Sequence, residues 1–311
     1  MPSINRTSII TGPALVTFAG QIFWSKGDIT LKPNNKNFKV GTSAFGDMEE
    51  RTQDKSIEVS FEPDGRFTAG LAAVLWPYAA TAIGASIYGG SDRALVVHSR
   101  AGTKVTVHNA ALTKMPDLRL GVSKTIQGSV TFTGLLKNST DPTNAAAYYT
   151  VASESYPGDT GFDIVDIKTL AYGSEWGASA PWDSFLTQEG WEVSFDLSLA
   201  AQMVDGLGTV DMSLQSLGVT ARAIPVGPTE AQILTAMGNT RALGASIASA
   251  DDLIVSATGL YFSLSKAGLR SAELGYGAER KRAGQLEWLA TRTVTSGVAD
   301  PLFYLGTAAP V

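Results

Sequence analysis

Apolar and polar residues alternate through most of this chain, and one alternating stretch is present twice. Residues 101–135 form the first copy and residues 258–291 the second. With one residue skipped near Asp117, Gly102 aligns with Gly259, Ala110 with Ala267 and Leu112 with Leu269. Leu118 then aligns with Leu274, Gly121 with Gly277 and Gly128 with Gly284. Val105 and Val107 match Phe262 and Leu264, while Val130 and Phe132 match Leu286 and Trp288. This is the period-two pattern of half-buried strands, at corresponding places. A unit of this length present only twice predicts duplicated domains rather than a solenoid.

The repeat continues upstream. Ile57, Val59 and Phe61 alternate with polar residues, run into Pro63 and Gly65, and precede an apolar helical segment. Val219, Ala221 and Ala223 run into Pro225 and Gly227, again before a helical segment. The order is strand, P-x-G turn, helix, paired strands, twice over. It predicts a mainly β protein of two tandem β-sandwich or split-barrel domains, each with one short α-helix. The expected boundaries are 1–137 for the first domain, 138–181 for a linker and long loop, and 182–311 for the second.

Within the first copy, strands are expected at 14–24 and across Ile29 and Leu31. Residues 33–37 (PNNKN) have turn chemistry, and 38–62 read as a long hairpin. Leu71, Val74, Leu75 and Tyr78 fall on one helical face, and Pro77 limits that helix. In the second copy, residues 191–199 show the cleanest alternation, 209–224 read as the next strand pair, and the last strands fall in 252–295. The second helix is expected from Pro228 to Gly238, with Ile233, Ala236 and Met237 as its buried stripe. Residues 69–90 carry no charge and are long enough to cross a bilayer. Their Ala, Gly, Thr and Ser content and Pro77 predict a helix and loop, not a membrane span. The first residues lack the basic and apolar regions of a signal peptide.

Composition narrows the chemistry. Only 17% of residues are charged, against roughly 25% in a typical soluble protein, as expected where partners cover much of the surface. The net charge of −5 argues against a protein that grips nucleic acid through a basic stripe. With no cysteine and two histidines, His98 and His108, thiol chemistry, disulfides and zinc sites of the usual ligand types are removed. There is no G-x-S-x-G, P-loop, H-E-x-x-H or EF-hand motif. The sequence GYGA at 275–278 sits between strands and is no dinucleotide fingerprint. Glu49–Glu50 and Asp251–Asp252 are acidic pairs with nothing in their spacing to define a glycosidase cleft. No catalytic residue, cofactor or metal ligand is expected.

Two polar constellations stand out. Strand periodicity puts Glu50, Thr52, Asp54, Ser56, Glu58, Ser60 and Glu62 on one face, and residues 191–199 repeat this with Glu192 and Asp196. A solvated sheet face gives such a pattern. So does the lining of a conduit whose negative charge keeps DNA from sticking, and both readings stay open. The run Glu279, Arg280, Lys281, Arg282 lies between two strands and is expected to contact a neighbouring subunit or solvent rather than phosphate.

The long hairpin, the segment EVSFEPDGRF and the following helix, within 40–75, resemble the tail tube (major tail) proteins of long-tailed, siphovirus-type bacteriophages. The pattern recurs in 219–237, and the resemblance covers nearly all the chain except 137–181. The duplication is a departure, because most such proteins carry one tube domain. The resemblance implies a non-enzymatic structural subunit of the virion, made in the host cytoplasm. Its hairpin sheets would join into a closed barrel without free edges. Rings would stack into a tube, with other tail proteins at the ends. Glu50, Asp54, Glu58, Glu192 and Asp196 would face a lumen that passes DNA at ejection without gripping it. Six tube units from three chains would close each ring. The alternative is a β-sandwich binding module for carbohydrate or protein, with Tyr172, Trp176 and Trp182 as candidate contacts.

Overall fold

A computed structural model describes residues 14–64, 68–88, 93–121, 124–135, 148–157, 172–204, 207–238, 241–247, 251–276, 281–292, 294–295 and 298–310. The first half holds strands β1 (Ala14–Phe18), β2 (Gln21–Ser25), β3 (Thr30–Thr42), β4 (Gly46–Phe61) and β5 (Pro63–Asp64). Helix α1 (Ala69–Leu75) follows, then β6 (Leu95–Ser99), β7 (Thr103–Val107), β8 (Ala110–Lys114), β9 (Asp117–Gly121), β10 (Lys124–Gln127), β11 (Val130–Gly134) and β12 (Tyr149–Ser153). The second half holds β13 (Gly173–Trp176), β14 (Leu186–Val204), β15 (Gly208–Val226) and helix α2 (Glu230–Ala236). After it come β16 (Leu253–Ala257), β17 (Leu260–Leu264), β18 (Gly268–Tyr276), β19 (Lys281–Leu289), β20 (Val294–Thr295), β21 (Val298–Ala299) and β22 (Phe303–Gly306). The protein is mainly β, in several antiparallel sheets.

The strand pairings of the first half recur in the second. One sheet has the order β3-β4-β11-β8, and the corresponding strands β14-β15-β19-β18 are adjacent in the same order. Likewise β1, β6, β7 and β12 pair in series, as do β13, β16, β17 and β22. The irregularities also correspond. Met48 and Gln53 have no partner in β3, and Val210 and Gln215 have none in β14. Each bulge lies the same number of residues before Ile57 as its counterpart lies before Val219. Gly102 and Gly259 take positive φ in the two β-turns, and Asn109 and Lys266 both have φ 44° one residue before the aligned alanines. Local backbone demands, not only apolar pattern, are therefore shared.

The halves differ in one hairpin. β18 and β19 are long and continuous, whereas the first half breaks at Met115–Pro116 into β8 and β9. Hairpin β9–β10 leaves its own sheet and pairs with β14, giving the order β10-β9-β14-β15-β19-β18. Residues 101–135, read as a strand pair, thus carry five whole strands, β7 to β11. Residues 209–224, also read as a pair, lie within the single strand β15.

Two more expectations need correcting. Residues 33–37 do not turn but continue β3, with Pro33 opposite Ile57. An edge strand tolerates proline because the missing N–H would have pointed outward. The segment 138–181 supplies β12 and β13, each at the end of a sheet; residues 138–147 and 158–171 lie outside the described residues.

Alternation explains the core. Ile57, Val59 and Phe61 of β4 are buried while Glu58 and Ser60 are half-buried. Phe18 and Phe23 meet Phe61 and Phe132 across the first sandwich. Trp176, Trp191, Trp288 and Phe185 fill the second. Thr68 caps α1, and Thr229 with Gln232 forms a capping box on α2, a reciprocal use of otherwise orphaned donors. Among the described residues no helix is long and apolar enough to cross a membrane.

Candidate assembly surfaces

The two halves meet at a joint built from backbone. Leu118, Arg119 and Leu120 of β9 lie opposite Val193, Glu192 and Trp191 of β14. Gly190 has φ 82°, and a Cβ there would stand 2.2 Å from the Leu120 carbonyl oxygen. A Cβ on Gly121 would stand 2.9 Å from the Glu189 carbonyl oxygen. Only glycine permits both the backbone conformation and the approach at 190.

A second seam lies farther along β15, where β19 no longer covers it. Gly84 N–H donates to Leu214 O at 2.7 Å, Leu214 N–H to Ala85 O at 2.9 Å, and Ile87 N–H to Met212 O at 2.9 Å. Ser86 Oγ donates to the Asp211 carboxylate at 2.7 Å. The loop after α1 thus behaves as a short extra strand on the other half. Beside it, Tyr88 Oη donates to Thr133 O at 2.9 Å and Tyr78 Oη to Leu112 O. Burial pushes both phenol groups upward from their ordinary pKa. Trp76 and Phe303 each pack on Phe195, closing the seam with aromatic surface.

The acidic residues do not form one acidic face. Because Gln53 is bulged, the cross-strand register places Asp54 and Glu58 opposite Lys36 and Lys32 but Glu50 opposite Lys39. Lys39 lies on the other side of β3, so Glu50 faces away from Asp54 and Glu58. Simple period-two counting failed at that one extra residue. Asp54 is also engaged inside the molecule: it accepts from Thr209 N–H at 2.8 Å and Thr209 Oγ1 at 2.6 Å. Glu192 and Asp196 share a face of β14 and are exposed. Glu192 stands between Arg119 and Arg222, and Arg222 pairs with Glu287, which also meets Arg270. Charge alternates in sign across this sheet. Beside it, burial raises the Asp117 pKa, opposed by its backbone hydrogen bond with Phe195 and by Lys114.

Of the basic run, Glu279 and Arg280 lie outside the described residues, and Lys281 and Arg282 begin β19 opposite Tyr276 and Gly275. His98 Nδ1 lies 2.8 Å from Glu154, which also accepts from Lys104 at 3.2 Å. Desolvation pushes the Glu154 carboxyl up, but the Lys104 and His98 hydrogen bonds outweigh it and hold the pKa below the ordinary carboxylate value. This cluster ties the end of β12 to β6 and β7. Among the described residues no three acidic or histidine side chains gather as a metal site.

A cleft of about 450 Å³ opens between α2 and the 177–182 loop, lined by Trp176, Trp182, Gln232 and Asp251. Trp176 Nε1 donates to Ala267 O at 2.8 Å, and Trp182 packs edge-on against it. Tyr172 is buried instead, and burial pushes its phenol up to about 12.

Comparison with protein-family models and with curated proteins gave no match. One sequence signal goes unused in the repeat described above. AIGASI at 82–87, which makes the seam on β15, recurs as ALGASI at 242–247 after α2.

Proposed function

We propose that the protein is a self-assembling structural subunit of a phage-type tail tube, in which two tandem copies of one tube unit stand side by side and three chains close a ring. One observation supports this reading most. The two halves, which share a pairing scheme, are joined head to tail: β9 of the first meets β14 of the second. The ends that would continue this series, β18 and β3, are terminal strands of their sheets. Head-to-tail contacts generate rings when the rotation closes and filaments when it does not. Stacked rings would enclose a conduit for DNA, lined by charge-paired strands that offer no continuous basic track. Negative-stain microscopy of the purified protein tests the reading: rings or tubes are expected, with three chains and six similar lobes per ring. Six chains per ring, or monomers at every concentration, would overturn it.

The cleft at Trp176 and Trp182 supports a second reading, a carbohydrate-binding module. Under it the protein stays monomeric, and oligosaccharide changes its tryptophan fluorescence.

A further inference from the structure

We infer that the joint between the two halves is used again between copies of the chain, with residues 242–247 of one copy docked on β4 of the next. The inference rests on the self-assembling reading and names the surfaces that carry it.

Segments 82–87 and 242–247 share a backbone as well as a sequence. In each, an alanine N–H closes a turn on the alanine three residues before, Ala85 on Ala82 and Ala245 on Ala242, both at 3.1 Å. Gly84 has φ 85° and Gly244 φ 82° at the same point of the turn. Their surroundings differ. Beside β15, Ile83 is 57% exposed and Ile87 7%, whereas their counterparts are more open, Leu243 at 105% and Ile247 half-buried. The second copy of the segment thus has the shape of the first with no strand beside it among the described residues.

The receiving strand is defined by the bulges. Met212, Ser213 and Leu214 lie between the bulged residues Val210 and Gln215 of β15, and Glu50, Arg51 and Thr52 lie between Met48 and Gln53 of β4. Here, among the described residues, β4 is paired on its β3 side only, since β11 covers only Ile57 to Phe61. Transferring the seam gives Gly244 N–H to Thr52 O, Thr52 N–H to Ala245 O, and Ile247 N–H to Glu50 O. Ser246 then falls opposite Arg51, as Ser86 falls opposite Ser213. The acidic residue that Ser86 meets, Asp211, has Glu49 as its counterpart.

The other end of the joint agrees. Leu274 and Tyr276 keep the alternation of Leu118 and Leu120, and the outer edge of β18 is unpaired among the described residues. Ile29 and Leu31, the counterparts of Trp191 and Val193, border the equally unpaired outer edge of β3. Both contacts run in the same direction, so one neighbour satisfies both.

The absence of cysteine makes the test clean. Two single-cysteine chains, Ser246→Cys and Arg51→Cys, are mixed and oxidised, so that any disulfide must join two molecules. Mixed dimers are expected in the mixture, with neither variant dimerising alone. A surface variant, Ile247→Asp, is expected to keep the native circular dichroism yet weaken association at least tenfold. Rings that form without the mixed disulfide would place the interface elsewhere and leave the tube reading standing. Disulfides within the Arg51→Cys variant alone would show a two-fold contact and overturn the inference. Neither rings nor disulfides at millimolar protein would end both.

Discussion

Trp191 and Trp288 show how little a residue's type says about its contribution. Both are fully buried, in ring contact at 5.0 Å. Trp191 Nε1 donates to the buried Ser174 hydroxyl at 2.8 Å, whereas Trp288 Nε1 finds no partner among the described residues. A buried donor without an acceptor costs free energy that folding does not recover. The first half has Phe132 in the place of Trp288, which has no such donor. Trp191→Phe is therefore expected to destabilise by about 1–2 kcal/mol more than Trp288→Phe, measured by urea denaturation. Equal midpoint shifts would show that ring volume alone decides.

At Glu154 the effect depends on pH. Its carboxyl is held below the ordinary carboxylate value when folded by Lys104 and His98. A depressed folded pKa gives stability that is present above the unfolded value and lost as pH falls through the folded one. Glu154→Gln is expected to differ from wild type most at neutral pH, and by progressively less as the solution is acidified through the carboxylate range. Thermal melts across that range measure the difference. A gap that widens on acidification would contradict the assignment.

Among the elements, those with strict periodicity were legible in the sequence. Ile57, Val59 and Phe61, and Val193 with its neighbours, form strands because one face had to be buried. The second helix was legible in its end signals, Pro228 and Gly238, whereas its cap Thr229 was not. What periodicity could not supply was register. An unpaired Gln53 leaves the composition of the strand unchanged yet turns Glu50 to the other face. Pro33 looked like a turn residue because nothing local reveals that β3 is an edge. The joint between the halves was hidden because it is made largely of backbone hydrogen bonds and close glycines, which carry no apolar signal. Gly190→Ala tests that joint directly. Its left-handed φ and the 2.2 Å approach to Leu120 O predict a loss of at least about 2 kcal/mol from backbone strain. Chemical denaturation measures it, and a loss below about 0.5 kcal/mol would mean that β9 and β14 do not pair in solution.

For the whole molecule, the tube assembly proposed above raises the question of which surface would meet DNA. Glu58 and Asp196 lie on corresponding faces of the two long hairpins, because Glu58 is the counterpart of Thr220, which lies opposite Ser194 on the face that also carries Asp196. Glu50 lies on the opposite face of β4. If the Glu58 face lines the conduit, tubes of the double variant Glu58→Lys and Asp196→Lys gain a regular basic lining. Lys32, exposed and opposite the half-buried position 58, would repel the new lysine, as like charges directly across a strand pair do. DNA binding to such a lining releases condensed counterions, so its affinity falls steeply with salt. The double variant is therefore expected to retain short duplex DNA at about 50 mM salt and release it by about 200 mM. Glu50→Lys tubes are expected to behave as wild type. Co-sedimentation of labelled DNA with assembled tubes measures both. Retention by the Glu50→Lys tubes instead would place the opposite face of β4 on the lumen.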